Sequence, residues 1–191
     1  MRLPDKRFNA GWLTTAQHCV SPNCDERPRD VPVSLLVIHN ISLPPGEFGT
    51  GCVEQLFTNC LVPEQHPFFL TINHLRVSSH FLVDRNGAVT QFVGIDQRAW
   101  HAGVSCFKGV ENCNDFSIGI ELEGTDEQPY TTSQYRQLTE LSHDLMREFP
   151  AITPQRIAGH SDIAPGRKTD PGPSFDWHRY LLSLSEPQNG I

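Results

Sequence analysis

Between Gly159 and Pro173 the chain reads Gly-His-Ser-Asp-Ile-Ala-Pro-Gly-Arg-Lys-Thr-Asp-Pro-Gly-Pro, and so carries an imidazole, an ammonium and a carboxylate in one short stretch. Proline lacks an amide hydrogen and clashes with the preceding turn, so this segment is expected to be an extended, stiff loop. Side chains two apart in extended chain point the same way, which puts Lys168 and Asp170 on one side. A histidine and a carboxylate that meet across such a loop make two ligands of a metal site, with a cation beside them. Catalytic zinc takes three protein ligands and keeps a fourth position for water. His160, Asp170 and one further histidine meet that count. His39 is the candidate, because it ends the apolar run Leu35-Leu36-Val37-Ile38. Ligands from distant positions carry no spacing code, so composition alone leaves the set open. Any single histidine is equally well read as a hydrogen-bonded core or surface residue, as His18, His66, His74, His143 and His178 are here; His80 is assigned neither way.

The elements that would position these groups follow from periodicity. The run ending at His39 has the pattern of a strand buried on both faces, and sites in open α/β sheets gather at such strand ends. Phe116, Ile118, Ile120 and Leu122 alternate with Ser117, Gly119, Glu121 and Glu123. That period of two predicts a strand whose other face carries Glu121, with Gly119 clearing room beside it. Arg156-Ile157-Ala158 reads as a short strand delivering His160. Arg85-Asn86-Gly87 between two β-rich runs predicts a hairpin, since Asn and Gly accept positive φ. From Thr131 to Phe149 apolar residues fall three or four apart, Thr131 and Gln134 form a capping-box pattern, and Pro150 stops the helix. Short helices are expected over residues 53–61 and 175–184, while residues 63–76 resist assignment.

Length and composition bound the rest. At 191 residues, with 38% hydrophobic and 19% charged residues, the chain is expected to be one globular α/β domain, a mixed central sheet flanked by helices. Residues 1–32 read as an irregular N-terminal arm packed on that domain (33–185), and residues 186–191 as a frayed tail. A net charge of −7 without a basic run argues against a nucleic-acid partner. No stretch is long and apolar enough for a bilayer and no signal-peptide core opens the chain, so a cytoplasmic protein with no membrane association is expected. The six cysteines contain no Cys-x-x-Cys pair, and they read as free packing residues rather than a thiolate metal site or disulfides. No interface signature stands out, which predicts a monomer.

Four stretches together carry a resemblance. They are Val37-Ile38-His39-Asn40-Ile41-Ser42-Leu43-Pro44-Pro45-Gly46, Arg98-Ala99-Trp100-His101-Ala102-Gly103-Val104-Ser105, the run from Asn114 to Thr125, and the loop from Gly159 to Trp177. From about Trp12 to Tyr180 the chain resembles the zinc N-acetylmuramoyl-L-alanine amidases, in particular the cytosolic anhydro-muropeptide amidases of bacterial cell-wall recycling, relatives of phage amidases and peptidoglycan recognition proteins. The resemblance implies one zinc ion held by His39, His160 and Asp170, an acid/base at Glu121, and a polarising cation at Lys168. It also implies hydrolysis of the amide between the lactyl group of anhydro-N-acetylmuramic acid and L-alanine of a small muropeptide, by zinc-bound water with Glu121 as general base and acid and Lys168 facing the oxyanion. Asn40, Trp100 and His101 are candidate substrate contacts, with packing at the cleft wall as the equal alternative. Two departures from the wider superfamily stand out. Asp170 occupies a position where many relatives have cysteine, and Ser79 precedes His80 where phage-type relatives have tyrosine, which moves the acid/base duty to Glu121. Two other readings are a muropeptide sensor that binds without cutting, and a thiol hydrolase using Cys106 or Cys113.

Overall fold

The apolar run before His39 becomes an inner strand of a six-stranded mixed sheet, as its two-sided burial requires. The computed structural model describes residues 7–185. Its strands are β1 (Phe8–Asn9), β2 (Trp12–Leu13), β3 (Gln17–His18), β4 (Cys24–Glu26), β5 (Leu35–Ile41), β6 (Phe81–Val83), β7 (Val89–Gln91), β8 (Gln97–Ala99), β9 (Cys106–Phe107), β10 (Val110–Glu111), β11 (Ser117–Glu123) and β12 (Ile157–Gly159). Its helices are α1 (Cys52–Phe57), α2 (Phe69–Ile72), α3 (Thr132–Glu148), α4 (His160–Ile163) and α5 (Trp177–Ser185). The main sheet runs β12-β5-β11-β6-β7-β3. β12, β5, β11 and β6 are parallel, and the hairpin partner β7 is antiparallel to β6. The α/β class and the flanking helices are as expected from the sequence.

Alternation along the inner strands divides the core in two. Leu36 and Ile38 of β5, with Ile118, Ile120 and Leu122 of β11, pack on Leu138, Leu141 and Leu145 of α3 and Tyr180 of α5. Each such fully buried side chain is worth ~1.5–3 kcal/mol. Leu35 and Val37 point the other way, against Ala102, Cys113, Phe116 and Ile163. His39, two residues past Val37, belongs to this second face, as does Glu121, out of phase with Ile120 and Leu122. α3 begins with the predicted capping box: the Thr131 hydroxyl accepts from the Gln134 N–H, and the Gln134 side chain accepts from the Thr131 N–H, both at 3.1 Å.

Two expectations are corrected. Residues 159–173 are not extended: His160–Ile163 makes one turn of helix and the chain then doubles back. The Arg167 and Lys168 N–H groups both donate to the Ala164 carbonyl at 3.1 Å, and the Ser161 N–H donates to the Asp170 carbonyl at 2.9 Å. Prolines from 165 onward stop the helix as argued, but they sit in turns. The arm wraps the domain without being irregular throughout: β3 pairs with β7 at the sheet edge, and β4 pairs with β8. Arg27 of the arm inserts its guanidinium and donates to the carbonyls of Asn114, Asp115 (both 3.2 Å) and Ser117 (2.9 Å). The first six residues of the arm and the tail from residue 186 lie outside the described residues. All six cysteines are free, but only Cys52 and Cys113 are buried, while Cys60 and Cys106 are exposed.

Candidate active site

Parallel pairing sets the site. In the β5–β11 ladder His39 stands opposite Glu121, and in the β5–β12 ladder Ile38 stands opposite Gly159, so His160 follows one step on. Glu121, His39 and His160 therefore form a row across three neighbouring strands at their carboxyl ends. The doubled-back chain after α4 brings in Asp170. The His39 and His160 Nδ1 atoms lie 3.0 Å apart, and Asp170 Oδ2 is 3.1 Å from each. One ligand atom from each of the three residues lies within 4.8 Å of the others, and this is the group among the described residues able to hold a metal ion.

The far sides of both rings are occupied. His160 Nε2 faces the Ala102 carbonyl at 3.0 Å. A carbonyl only accepts, so Nε2 carries the hydrogen and Nδ1 presents a lone pair. His39 Nε2 meets His101 Nδ1 at 2.9 Å. Two imidazole nitrogens and a carboxylate oxygen converging at hydrogen-bond distance need a cation or shared protons between them. Nitrogen and oxygen donors with outer partners of this kind are those of a transition-metal site. The residues present fit a metal ion.

Burial sets the electrostatics. It brings the His39 imidazole down to about 4, against the pull of the Asp170 carboxylate. It pushes the Glu121 carboxyl well above its ordinary range; the Asp170 carboxylate adds to this and the Lys168 ammonium opposes it. Glu121 is 8% exposed, and its Oε2 is buried without a protein hydrogen-bond partner. Lys168 is solvent-exposed at the same cleft. The two aspartates that could have paired with it are engaged elsewhere: Asp170 by the histidines, and Asp162 by the Gly159 N–H at 2.7 Å.

These groups line a cleft of about 680 Å³ whose walls include Asn40, Leu43, Phe68, Ile72, Leu75 and Asp126, a volume suited to a small-molecule ligand. Asn40 lines the cleft, and its amide donates to Asp126 Oδ1 at 2.8 Å. Gly172 (φ +80°) lies against Asp126, where an added Cβ would come within 2.3 Å of the Asp126 Cα. His101 reaches the cleft floor, but its ring nitrogens are taken by His39 and by Ser117 Oγ (3.1 Å). Trp100 is not among the lining residues; its indole N–H donates to Asp25 at 3.2 Å. His80 is structural: its Nδ1 accepts from the Gly119 N–H at 3.0 Å, and its Nε2 reaches the Gln97 carbonyl. Neither Cys106 nor Cys113 lines the cleft, and burial raises the Cys113 thiol. Sequence reasoning did not foresee Asp126 or the Ala102 carbonyl, and a loop as long as 63–76 suggests function without saying which part; the structure draws Phe68, Ile72 and Leu75 from it. A backbone carbonyl leaves no trace in residue type, but the cluster of apolar side chains in an unassigned loop was a usable signal.

The fold agrees with what the chain is similar to. Residues 29–173 match the N-acetylmuramoyl-L-alanine amidase family model, and the chain belongs to that family. It is 56% identical over 185 residues to the 1,6-anhydro-N-acetylmuramyl-L-alanine amidase AmpD of Salmonella typhimurium strain SL1344, covering 96% of both chains. A crystal structure of a Se-Met AmpD derivative superposes with a TM-score of 0.91 at 54% identity, covering 93% of this chain and 99% of that one. The E. coli amidase AmiD, solved in complex with the substrate anhydro-N-acetylmuramic acid-L-Ala-D-gamma-Glu-L-Lys, matches with a TM-score of 0.60 at 29% identity, over 83% of this chain and 60% of AmiD.

Proposed function

We propose that this protein is a zinc-dependent amidase that cuts the bond between the lactyl group of anhydro-N-acetylmuramic acid and L-alanine in small muropeptides during cell-wall recycling. The observation that carries the reading is the meeting of His39, His160 and Asp170 beside a buried, unpartnered Glu121 in one cleft. The names of the relatives supply the substrate class. His39, His160 and Asp170 would hold one zinc ion, which when bound supplies a Lewis acid for the scissile carbonyl and lowers the pKa of water toward ~7.

The chain's own groups do the rest. Glu121 takes the proton from the attacking water and returns one to the amine nitrogen that leaves with L-alanine. A carboxyl raised by burial suits both halves of that exchange. Lys168 places a positive charge at the cleft, where an oxyanion develops as the carbonyl is attacked. Asn40, oriented by Asp126, offers polar groups to the sugar or peptide. The protein is expected to work as a monomer in the cytoplasm; among the described residues no helix is long and apolar enough to cross a membrane.

The test is incubation of the zinc-loaded protein with an anhydro-muropeptide, followed by mass spectrometry. Release of a peptide with a free L-alanine amine, abolished by chelation and restored by zinc, is the expected result. Substrate that binds but stays intact would make the protein a sensor, and cleavage that survives chelation would remove the metal from the reaction.

A further inference from the structure

Both candidate histidine ligands are held from behind by one dipeptide. The side chain of His101 meets His39 (Nδ1 to Nε2, 2.9 Å), and the main-chain carbonyl of Ala102 meets His160 Nε2 (3.0 Å). The dipeptide is in turn pinned by one residue. Asn114 Oδ1 stands 3.2 Å from the His101 nitrogen and 2.8 Å from the Ala102 nitrogen, accepting from both N–H groups. Two main-chain donors on one atom identify it as the amide oxygen. Gly119 makes the arrangement possible, since a Cβ there would lie 2.6 Å from His101 Cγ.

From this we propose that Asn114 is a positioning residue for the metal centre, acting through His101 and Ala102 to aim both imidazoles at once. The proton arrangement follows from the ligand reading. If the Nδ1 of His39 presents its lone pair toward His160 and Asp170, its Nε2–H donates to His101 Nδ1 (2.9 Å), and His101 Nε2–H is left to donate to Ser117 Oγ (3.1 Å). The Ala102 carbonyl fixes the same tautomer on His160, and its second lone pair accepts from Arg167 Nη2 at 2.6 Å. Outer partners of metal-bound histidine commonly matter 10–100-fold in metal affinity. Here one amide oxygen governs the partners of both rings. The inference rests on reading His39, His160 and Asp170 as metal ligands.

Zinc affinity, measured by competition with a chromophoric chelator on the full chain, tests it. Asn114→Ala and His101→Ala should each bind zinc roughly 10–100-fold more weakly. Asn114→Asp keeps the acceptor oxygen, and His101→Asn places an amide oxygen where Nδ1 stood; both should bind close to wild type. An Asn114→Ala protein that folds and holds zinc as tightly as wild type overturns the inference and leaves the ligand set standing, as does an Asn114→Asp protein as weak as Asn114→Ala. If Asn114→Ala does not fold by circular dichroism, equal affinities of His101→Ala and His101→Asn overturn it. A wild-type chain that takes up no zinc removes the ligand reading itself.

Discussion

Glu121 and His39 stand side by side on neighbouring strands, and burial acts on them with opposite sign. Loss of solvent disfavours whichever form is charged, so the carboxyl rises and the imidazole falls. Burial thus disfavours the imidazolium of His39, which suits a nitrogen donor to a metal, and raises the Glu121 carboxyl, which suits a group that takes and returns a proton. Glu121→Gln keeps the shape and removes the base. It should retain zinc by metal analysis while kcat falls ~10²–10⁴-fold, and an unchanged kcat would place the base elsewhere. His80 offers a test of stability against pH. Buried, with the Arg27 guanidinium adding to the effect, it is held well below 6.5. As pH falls below ~6.5 the unfolded chain takes up a proton that the native state refuses, so the folded state loses stability with each further step down in pH. Melting followed by circular dichroism from pH 7 to 5 should show a falling midpoint. His80→Gln should fall less steeply, and equal slopes would contradict the assignment.

Strand and helix identities were written in the sequence wherever an element is long enough to repeat its pattern. β5, β11 and α3 have seven, seven and seventeen residues, and periodicity and the Thr131–Gln134 cap identified all three. The arm's ladders are two or three residues long, too short for alternation to register. The doubling-back after His160 depends on the Ala164 carbonyl receiving two N–H groups, which residue types do not encode. His39, His160, Asp170 and Glu121 were all singled out from strand ends and motifs, and the structure brings them together. The Trp100 indole is turned to Asp25 of β4 instead of lining the cleft, a long-range contact that no local pattern announces. Gly119 shows how an element constrains the site. Gly119→Ala would push a methyl into the His101 ring. It should cost ~1–3 kcal/mol as an overpacking change, read by urea denaturation. An unchanged midpoint would show that the ring can move aside.

At the scale of the molecule, the candidate ligands come from residues 39, 160 and 170, so only the folded chain can gather them. A metal that binds the native state alone adds RT ln(1 + [L]/Kd), ~4 kcal/mol at a thousandfold excess over Kd. Chelator-treated protein should therefore melt at a lower temperature and recover on adding zinc, and identical scanning-calorimetry traces would argue against a native-state metal. The sheet order β12-β5-β11 has a consequence for biosynthesis. These three neighbouring strands come from residues 157–159, 35–41 and 117–123, far apart in the chain. A growing polypeptide thus contains His39 and Glu121 before His160 and Asp170 have been added. A polypeptide cut anywhere before Asp170 therefore lacks part of the candidate ligand set, however much of the sheet it has already formed.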